Sequence, residues 1–451
     1  MTIKISLISL GCARNLVDSE IILGTLKKSG YKISDSPSGA DIAIVNTCSF
    51  IEDAKRESID VILDLIELKK KGKLKHILVA GCLPQRYGGE LKDELEEVDG
   101  FAGVDAIKVL PALIKRLAKG HKSDIILREP RYLYNDRSPR LSITPKHYAY
   151  VKISEGCSHR CSFCIIPAIR GRHRSRTVGS VIRESRSLIG RGVKEINVIG
   201  QDTSVYGKDI YGRWALAGLL RKLARLKGAN WIRLLYGHPG HFTDELISVI
   251  AEEGNICKYV DLPIQHINAR ILKAMGRPTS PEHIRELICK IRKKIPGVAL
   301  RTSVIVGFPG ESNKEFGELL DFIKETRFER LGAFTYSMEE GTSAAILKGQ
   351  VRKSVKRSRR DELMVLQSEI SAQNNMRMIG REMDVLIDEP CRGLKADDKG
   401  MFLGRTYMDA PEVDGNVFVK GAGIKTGDIV KARIVDGYEY DLVAEKVQRR
   451  E

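Results

Sequence analysis

Short apolar runs alternate with longer amphipathic stretches along the first part of the chain. The runs KISLISL, DIAIVNT and HILVAG predict strands, and residues 19–29, 51–71 and 106–118 predict helices beside them. Such alternation of strand and helix is typical of a parallel sheet that is covered on both faces. We therefore predict that residues 1–118 form an α/β domain around a parallel sheet.

Residues 119–143 are polar and irregular and are interpreted as a linker, after which the alternation resumes. Further strands are predicted there, and each except the last is followed by a helical stretch. Units of this kind suit a partial or full (β/α) barrel, which we assign to residues 140–372. The predicted strands are YAYVKIS, EINVIGQ, IRLLYG, KYVDLPI, LRTSVIVG and RLGAFTYS.

The pattern changes once more near the end of the chain. The stretch VRKSVKRSRRDELMVLQSEISAQNNMR has no Gly or Pro and predicts one helix. Its basic run, residues 352–360, favours a solvated helix face over a contact with ribosomal RNA. Short alternating segments divided by Gly and Asp follow and predict a small antiparallel β-barrel over residues 376–446. The predicted fold class is α/β, with a flavodoxin-like N-terminal sheet, a TIM-type barrel, preferably partial, and this small β-barrel.

Length and hydropathy bear on where the protein works. No apolar run reaches about 18 residues, the length that spans a bilayer. The N-terminal MTIKISLISLGC has no small-residue cleavage site after it and is interpreted as a first strand, not a signal peptide. We expect a cytoplasmic protein with no membrane segment and with reduced thiols. The net charge of +17 suits a partner that is nucleic acid or ribonucleoprotein, and equally a basic surface that only aids solubility.

Cys157, Cys161 and Cys164, which we call the loop trio, follow the first strand of the predicted barrel in EGCSHRCSFC. At this spacing a short loop can wrap its thiolates around one face of a 4Fe–4S cluster and leave one iron open. An open iron can chelate S-adenosylmethionine, whose reductive cleavage yields a 5′-deoxyadenosyl radical. A zinc site or a disulfide is disfavoured, because His159 is badly placed as a fourth ligand and the compartment is reducing.

Cys12, Cys48 and Cys82, which we call the sheet trio, each stand at the C-terminal end of a predicted strand in successive strand–helix units. Ligands of open parallel sheets gather at that edge, so these thiols are predicted to hold a second 4Fe–4S cluster. Gly11 and Gly81 precede two of them and allow close backbone approach. The alternative is three unrelated core cysteines.

Other strand ends carry candidates for the S-adenosylmethionine pocket. GFPGES follows a strong barrel strand, and Gly307 and Gly310 are predicted to let backbone amides approach the cofactor, with a simple tight turn as the alternative. Gln201 is a further cofactor-binding candidate, and Asp202 and Gln265 lie at similar positions. The remaining cysteines have no partner spacing and are interpreted as small buried hydrophobes: Cys257, Cys289 and Cys391.

Taken together, these features resemble the methylthiotransferase family of radical-SAM enzymes over nearly the whole chain. The sheet trio, the loop trio with Phe163 before its last cysteine, and a C-terminal TRAM-type barrel occur in the family's order. The strings SLGCARNLVDSE, EGCSHRCSFCIIPAIRG, DLPIQH and GRTYMDAPEVDG are most similar to the RimO type, which modifies an aspartate of small-subunit ribosomal protein twelve. Ala13 and Met338 stand where the family usually has proline, and neither touches a proposed ligand.

The resemblance implies a methylthiotransferase that adds a methylthio group to the β-carbon of an aspartate in a small-subunit ribosomal protein. One S-adenosylmethionine would supply the radical at the cluster of the loop trio and another the methyl group, with sulfur inserted at the cluster of the sheet trio. The substrate would be the free protein or the assembled ribosome. A flavodoxin- or ferredoxin-type electron donor is also implied.

Two other functions stay open. A tRNA adenosine 2-methylthiotransferase has the same cysteine frame, usually without NLVD after the first cysteine and without APEVDG. A non-catalytic iron–sulfur carrier would have four cysteines per cluster and no large barrel. Residues 382–446 contain fourteen acidic and nine basic residues, which favours a basic protein substrate over RNA.

Overall fold

The computed structural model describes residues 2–122, 125–391 and 400–447. Its N-terminal part is a five-stranded parallel sheet in the order β2–β1–β3–β4–β5, which is typical of flavodoxin-like folds, as predicted. The elements in chain order are β1 (Lys4–Ser9), α1 (Ala13–Lys28), β2 (Lys32–Ser34), β3 (Ile42–Thr47), α2 (Glu52–Lys70), β4 (His76–Gly81), α3 (Cys82–Glu94), β5 (Gly100–Ala102) and α4 (Leu110–Leu117).

Alternate residues of β3 and β4 point to opposite faces of this sheet and join two separate apolar cores. Ile44 and Leu78 belong to the core that contains residues of α1 and α4, whereas Val45 and Val79 belong to the core that contains residues of α2 and α3. Every residue of β3 is buried, as expected for a central strand covered on both faces.

The stretch interpreted as a linker is irregular but firmly attached on both sides. Arg140 pairs with Glu20 of α1 and with Glu184, which lies in a helix of the central part, Val178–Gly190. Ile126 forms a parallel bridge with Ala102 of β5. This stretch therefore joins the N-terminal sheet to the central barrel and does not act as a free spacer.

The central part has six parallel strands in two three-stranded sheets, β10–β9–β6 and β11–β12–β13, linked by a bridge between Ile232 and Ile256. β6 and β13 are the outer strands, so the barrel is open and partial. The elements are β6 (Tyr148–Lys152), β7 (Ser154–Glu155), α5 (Ile166–Arg170), β8 (Arg174–Ser175), α6 (Val178–Gly190), β9 (Glu195–Ile199), α7 (Lys208–Tyr211), α8 (Leu216–Ala224), β10 (Trp231–Leu234), α9 (Asp244–Glu252), β11 (Tyr259–Asp261), α10 (Ala269–Ala274), α11 (Pro281–Lys294), β12 (Ala299–Val306), α12 (Asn313–Thr326) and β13 (Arg330–Thr335).

The long basic helix α13 (Lys353–Met376) packs against β13. Two members of its basic run are buried: the Lys356 ammonium donates to the Tyr336 carbonyl at 2.8 Å, and Arg359 pairs with Glu311 at 2.8 Å. The expectation that residues 352–360 form a solvated face is thus correct only for the exposed members, because these two cations stabilise the packing of the helix on the barrel.

The C-terminal part is a closed five-stranded barrel in the order β14–β15–β16–β18–β17. Four of its pairings are antiparallel, as predicted, but β16 and β18 pair in parallel. An odd number of strands cannot close through antiparallel pairs alone, so one parallel pair is required. The strands are β14 (Glu382–Pro390), β15 (Met401–Arg405), β16 (Val417–Lys420), β17 (Ile429–Gly437) and β18 (Leu442–Lys446).

Carboxylates of the stretch DAPEVDG hold this small barrel against the central one. Asp409 pairs with Arg330 of β13, the Tyr148 hydroxyl donates to Glu412 at 2.9 Å, and the Tyr259 hydroxyl donates to Asp414 at 2.6 Å. A fourth acidic residue, Asp388 of β14, lies 2.7 Å from the His147 ring. The acidity of this segment is therefore partly explained by the interface and is a weaker indication of a basic substrate than the sequence suggested.

None of the helices in the described part of the chain combines the length and apolar character needed to cross a bilayer. The nine cysteines all lie in the described part of the chain, and none of them forms a disulfide. Of the three interpreted as buried hydrophobes, Cys257 is buried, but Cys391 is only half-buried and Cys289 is exposed, because it lies on the solvent side of α11. The segment limits 1–118, 140–372 and 376–446 remain predictions.

Candidate active site

The sheet trio lies at one edge of the N-terminal sheet. Cys12 precedes α1 at the end of β1, Cys48 follows β3, and Cys82 begins α3 after β4. Because β1, β3 and β4 are neighbours and parallel, their C-terminal ends deliver the three thiols to the same place. Cys48 and Cys82 are buried and Cys12 is half-buried.

Two glycines permit this close approach. Gly11 has a φ of 84°, and a Cβ added to it would lie 2.6 Å from the Cys48 Cβ. Gly81 has a φ of 98°, and its Cβ would lie 2.4 Å from the Asn46 side-chain oxygen. Any other residue at either position would be strained in backbone and in packing, so the sheet trio depends on both glycines.

The residues that follow Cys12 fasten the trio to its surroundings. The side-chain amide of Asn15 donates to the backbone carbonyls of Leu10 and Asn46 at 2.7 and 3.1 Å, which ties the ends of β1 and β3 together. One turn later, Asp18 accepts from Lys152 of β6 and from Arg170 of α5. These buried contacts connect the sheet trio directly to the central barrel.

The thiols of the sheet trio differ in their electrostatic surroundings. Burial raises the pKa of Cys12, but the charge and hydrogen bond of Arg14 outweigh this effect and lower its pKa to about 7. Burial, together with the neighbouring Cys82 and Cys12, raises the pKa of Cys48 to about 12. Thiolates placed this close repel one another and need a cationic group among them. The irons of a cluster provide such a group.

The loop trio lies in the connection after β6 and β7. The Cys157 amide donates to the Gly171 carbonyl at 3.0 Å, and the Ser162 amide and hydroxyl donate to the carbonyls of Met275 and Ala274 at 2.9 and 2.8 Å. The loop is therefore held in place by the backbone on both sides. Burial raises the pKa of Cys157 to about 11 and that of Cys164 to about 12.

The donor set of the loop trio fits a three-ligand cluster. His159, the one histidine of the loop, has its Nε2 2.6 Å from an Asp202 carboxylate oxygen, so it is engaged away from the thiols. This geometry agrees with the expectation that His159 does not complete a zinc tetrahedron. Three thiols in a half-buried loop, whose one histidine is engaged by Asp202, are the arrangement that leaves one iron open.

A cavity of about 410 Å³ opens beside the loop trio. Its wall includes all three of these cysteines, strand-end residues of the central barrel, and residues of the N-terminal part such as Arg14, Phe50 and Ile51. The cavity thus extends from the loop trio to the surroundings of the sheet trio.

Several polar atoms in this cavity are buried and lack a hydrogen-bond partner among the described residues. A folded protein rarely leaves such atoms unpaired, so the cavity is built for a polar ligand, as S-adenosylmethionine is. The cavity-lining residues that carry these atoms are Gln201 (Oε1), His238 (Nε2), Arg277 (Nε) and Tyr336 (hydroxyl).

The structure separates the predicted pocket residues into two groups. Gln201, Asp202 and Gln265 line the cavity. Gly307 and Gly310 are not among its lining residues, and their amides donate to the Glu311 carboxylate and to the Gly349 carbonyl. Their positive φ angles of 72° and 77° fit the alternative, a tight turn, and the two glycines have no place in the site proposed below.

Two arginines of the site were missed by the sequence analysis. Arg14 lies two residues after Cys12 and contacts its Sγ at 3.5 Å, and Arg170 lies six residues after Cys164 and donates to the Cys82 Sγ at 3.2 Å. Their nearness to the cysteines in the sequence was the one available signal. Only the packing of α1 and α3 against α5 shows what Arg170 contacts.

Sequence profiles of three families match this chain. They are the Radical SAM superfamily over residues 151–323, the uncharacterized protein family UPF0004 over residues 4–103, and the TRAM domain over residues 379–447. Among solved structures, the radical S-adenosylmethionine methyltransferase TsrM from Kitasatospora setae is similar, with a TM-score of 0.54 and 16% identity over 74% of this chain and 73% of that one. The cobalamin-dependent radical enzyme OxsB has a TM-score of 0.53 and 14% identity over 81% of this chain and 56% of that one. These likenesses show a shared fold.

Full-length relatives are much more similar in sequence. A protein of Pelotomaculum thermopropionicum named ribosomal protein uS12 methylthiotransferase RimO is 47% identical over 99% of this chain and 100% of its own length. Proteins with the same name from Geotalea uraniireducens and Geobacter sulfurreducens are 47% and 46% identical, each over 98% of both chains. With this identity over its full length, the chain belongs to the RimO family of radical-SAM methylthiotransferases.

Proposed function

We propose that this protein adds a methylthio group to the β-carbon of an aspartate in ribosomal protein uS12. One molecule of S-adenosylmethionine provides the radical and another the methyl group. The observation that carries this proposal is a single cavity whose wall contains the loop trio and also Arg14, which contacts Cys12 of the sheet trio. A substrate carbon in that cavity can reach both the radical that forms at the loop trio and the sulfur that is inserted at the sheet trio.

In this proposal the loop trio holds one 4Fe–4S cluster and the sheet trio holds the other, each through three thiolates. When bound, the first cluster supplies the electron that cleaves S-adenosylmethionine, and the second presents the sulfur for insertion. A radical is required because a β-hydrogen of aspartate is not acidic enough for a side-chain base to remove.

The protein's own residues bind, orient and enclose the reactants. Gln201 is held by its amide donating to Glu155 at 2.7 Å, which leaves its carbonyl oxygen as an acceptor for a donor group of S-adenosylmethionine. Tyr336 and Arg277 offer unpaired donors in the same cavity. The apolar side chains of Phe50 and Ile51 cover the N-terminal side and reduce the access of water to a radical.

The uS12 substrate is favoured over tRNA by the named relatives. The NLVD and APEVDG strings that distinguish this branch carry interface contacts of Asp18, Glu412 and Asp414, so they mark the family through its architecture. The electron donor is proposed to be a flavodoxin or ferredoxin. We further propose that the protein works in the cytoplasm, with its ribosomal substrate.

Mass spectrometry of uS12 and of bulk tRNA, from cells with and without this gene, tests the proposal. We expect uS12 to lose one methylthio group in the deletion strain while the tRNA nucleosides stay unchanged. Loss of a methylthio group from tRNA with uS12 unaltered would replace the proposal by the tRNA alternative. The gene restored with Cys161→Ala serves as the control that separates loss of activity from loss of the protein.

A further inference from the structure

The cavity that receives the substrate in the proposed function is lined by three arginines, and their partners differ. Arg301 pairs with Asp261 at 2.9 Å and lies 3.5 Å from Asp414, so its charge is already matched. Arg14 and Arg277 have no carboxylate partner among the described residues. Either of these two cations is therefore available to bind an anionic group that enters the cavity.

Arg14 is fixed between the two trios with part of its guanidinium free. Its Nε donates to the Cys12 Sγ at 3.5 Å, and its Nη1 donates to the carbonyl of Gly200, at the end of β9, at 3.1 Å. Within the described residues its Nη2 has no acceptor. The guanidinium is thus oriented by one contact with the N-terminal part, at Cys12, and one with the central barrel, at Gly200. Its remaining N–H groups are left for a ligand.

The ring of Tyr236 supports this orientation of the Arg14 guanidinium. The Arg14 guanidinium lies 4.5 Å from the centre of the Tyr236 ring, in a cation–π contact. Tyr236 has a φ of 62°, in the left-handed region that a side chain of this size rarely adopts. Asp261 and Thr203 hold it there, through hydrogen bonds of 2.9 Å to its amide and 3.0 Å to its carbonyl. Strain maintained in this way is typical of positions where function requires the side chain.

We propose that Arg14 binds the side-chain carboxylate of the substrate aspartate. This inference rests on the proposed function, because it needs a substrate with a carboxylate next to the reacting carbon. The carboxylate carbon of aspartate is bonded directly to the β-carbon, so a guanidinium that holds the carboxylate also fixes the carbon that loses its hydrogen. The forked N–H groups of arginine match a carboxylate better than the point charge of lysine does.

The rival cation is Arg277, which lies on the side of the loop trio. Its Nη1 is 3.9 Å from the Cys161 Sγ, and its Nη2 donates to the Pro263 carbonyl at 2.7 Å. Arg14, in contrast, contacts the sheet trio, where the sulfur is inserted in the proposed function. The substrate carboxylate is therefore assigned to Arg14, and Arg277 becomes the matched control.

The test compares binding of two forms of full-length uS12, with Asp or with Asn at the modified position, to the reconstituted full-length enzyme with S-adenosylmethionine. For the unaltered enzyme we expect Asp to be preferred by about tenfold to a hundredfold, as for a desolvated charge pair. Arg14→Met should bring this ratio close to one, and Arg14→Lys should restore part of it. Arg277→Met, compared at an S-adenosylmethionine concentration that saturates each variant, should keep the Asp-to-Asn ratio even if its affinity for S-adenosylmethionine falls. Iron content of each variant is measured in parallel, so that ratios are compared only between enzymes with equal cluster loading.

Two results would overturn the assignment while leaving the proposed function intact. One is an Arg14→Met enzyme that prefers Asp as strongly as the unaltered enzyme does. The other is an unaltered enzyme that modifies uS12 but binds its Asp and Asn forms equally well. If the unaltered enzyme does not modify uS12 at all, the proposed function itself fails, and the assignment of Arg14 fails with it.

Discussion

Arg170 donates from its Nη2 to the Sγ of Cys82 at 3.2 Å, so a residue of the loop-trio segment is hydrogen-bonded to a member of the sheet trio. Its Nη1 pairs with Asp18, which also accepts from Lys152. Both cationic partners belong to the central barrel, whereas Asp18 belongs to α1. The relative position of the two trios is thus set by buried ion pairs rather than by flexible linkage.

Replacing Arg170 by methionine should therefore destabilise the protein. The change leaves the buried Asp18 with one cation in place of two, and we expect a loss of about 3 kcal/mol in the free energy of unfolding. Arg170→Lys should lose less, because it retains the charge. Guanidinium unfolding of the protein without clusters measures both, and equal stability of Arg170→Met and the unaltered protein would contradict the assigned role of this pair.

Iron and sulfide analysis after anaerobic reconstitution should give about eight irons per chain, from four per cluster. The triple change of Cys157, Cys161 and Cys164 to alanine should remove about half of this iron. A value near four in the unaltered protein would show that only one trio binds a cluster.

Substitutions in the two trios should impair different steps of the reaction. Cys12→Ala should still form 5′-deoxyadenosine from S-adenosylmethionine, because the loop trio is intact, but it should insert no sulfur. Cys161→Ala should lose 5′-deoxyadenosine formation altogether. If a folded Cys12→Ala variant with normal iron at the loop trio also failed to cleave S-adenosylmethionine, the division of labour would be wrong.

Gly11→Ala should prevent the sheet trio from binding its cluster. The new Cβ would lie 2.6 Å from the Cys48 Cβ, so the two cysteine-bearing backbones must move apart. Gly30→Ala is the matched control: its φ of 89° is similar, but no atom lies within 4 Å of the added Cβ. Iron content should fall by about half in the first variant and stay unchanged in the second. Equal iron in both would mean that close approach at Gly11 is not required.

Asp388→Asn should weaken the contact between the C-terminal and central barrels by about 2 kcal/mol at neutral pH, through loss of charged hydrogen bonds. Burial raises the pKa of Asp388, but hydrogen bonds from His147 and Arg405 outweigh it and hold that pKa below its usual value. A carboxyl with a lowered pKa stabilises the fold above about pH 4 and loses this contribution as the pH falls further.

The difference in stability between Asp388→Asn and the unaltered protein should therefore shrink as the pH is lowered below about 4. Asp384→Asn is the control, since Asp384 is an exposed aspartate on the same strand. Unfolding of the protein without clusters, followed across this pH range, checks the result. A difference that persists unchanged at the lowest pH would show that the charge of Asp388 is not its source.

The sequence predicted the features that depend on local pattern. The buried strands β3 and β4 are short apolar runs, and a cysteine directly after each could be placed at one sheet edge from strand–helix alternation alone. Helix α3 was missed because its sequence contains Pro84, Gly88 and Gly89. The proline is tolerated in the first turn, where its missing N–H has no partner to lose.

Features that depend on tertiary packing could not be predicted in this way. The attachment of the linker through Arg140 requires Glu20 and Glu184, which are distant in the sequence. The sequence left open a cofactor contact or a tight turn at Gly307 and Gly310, since nothing local indicates that Glu311 and Gly349 accept from their amides. The sequence placed acidic residues in the small barrel but could not show which of them face the central barrel.

The central claim is tested most directly by incubating the anaerobically reconstituted enzyme with S-adenosylmethionine, a reductant, and an equimolar mixture of purified uS12 and bulk tRNA. Fragment mass spectra then locate any methylthio group. The predicted result is a methylthio group on the β-carbon of one aspartate of uS12, with 5′-deoxyadenosine formed and the tRNA unmodified. A methylthio group on tRNA adenosine with uS12 unmodified would contradict this account.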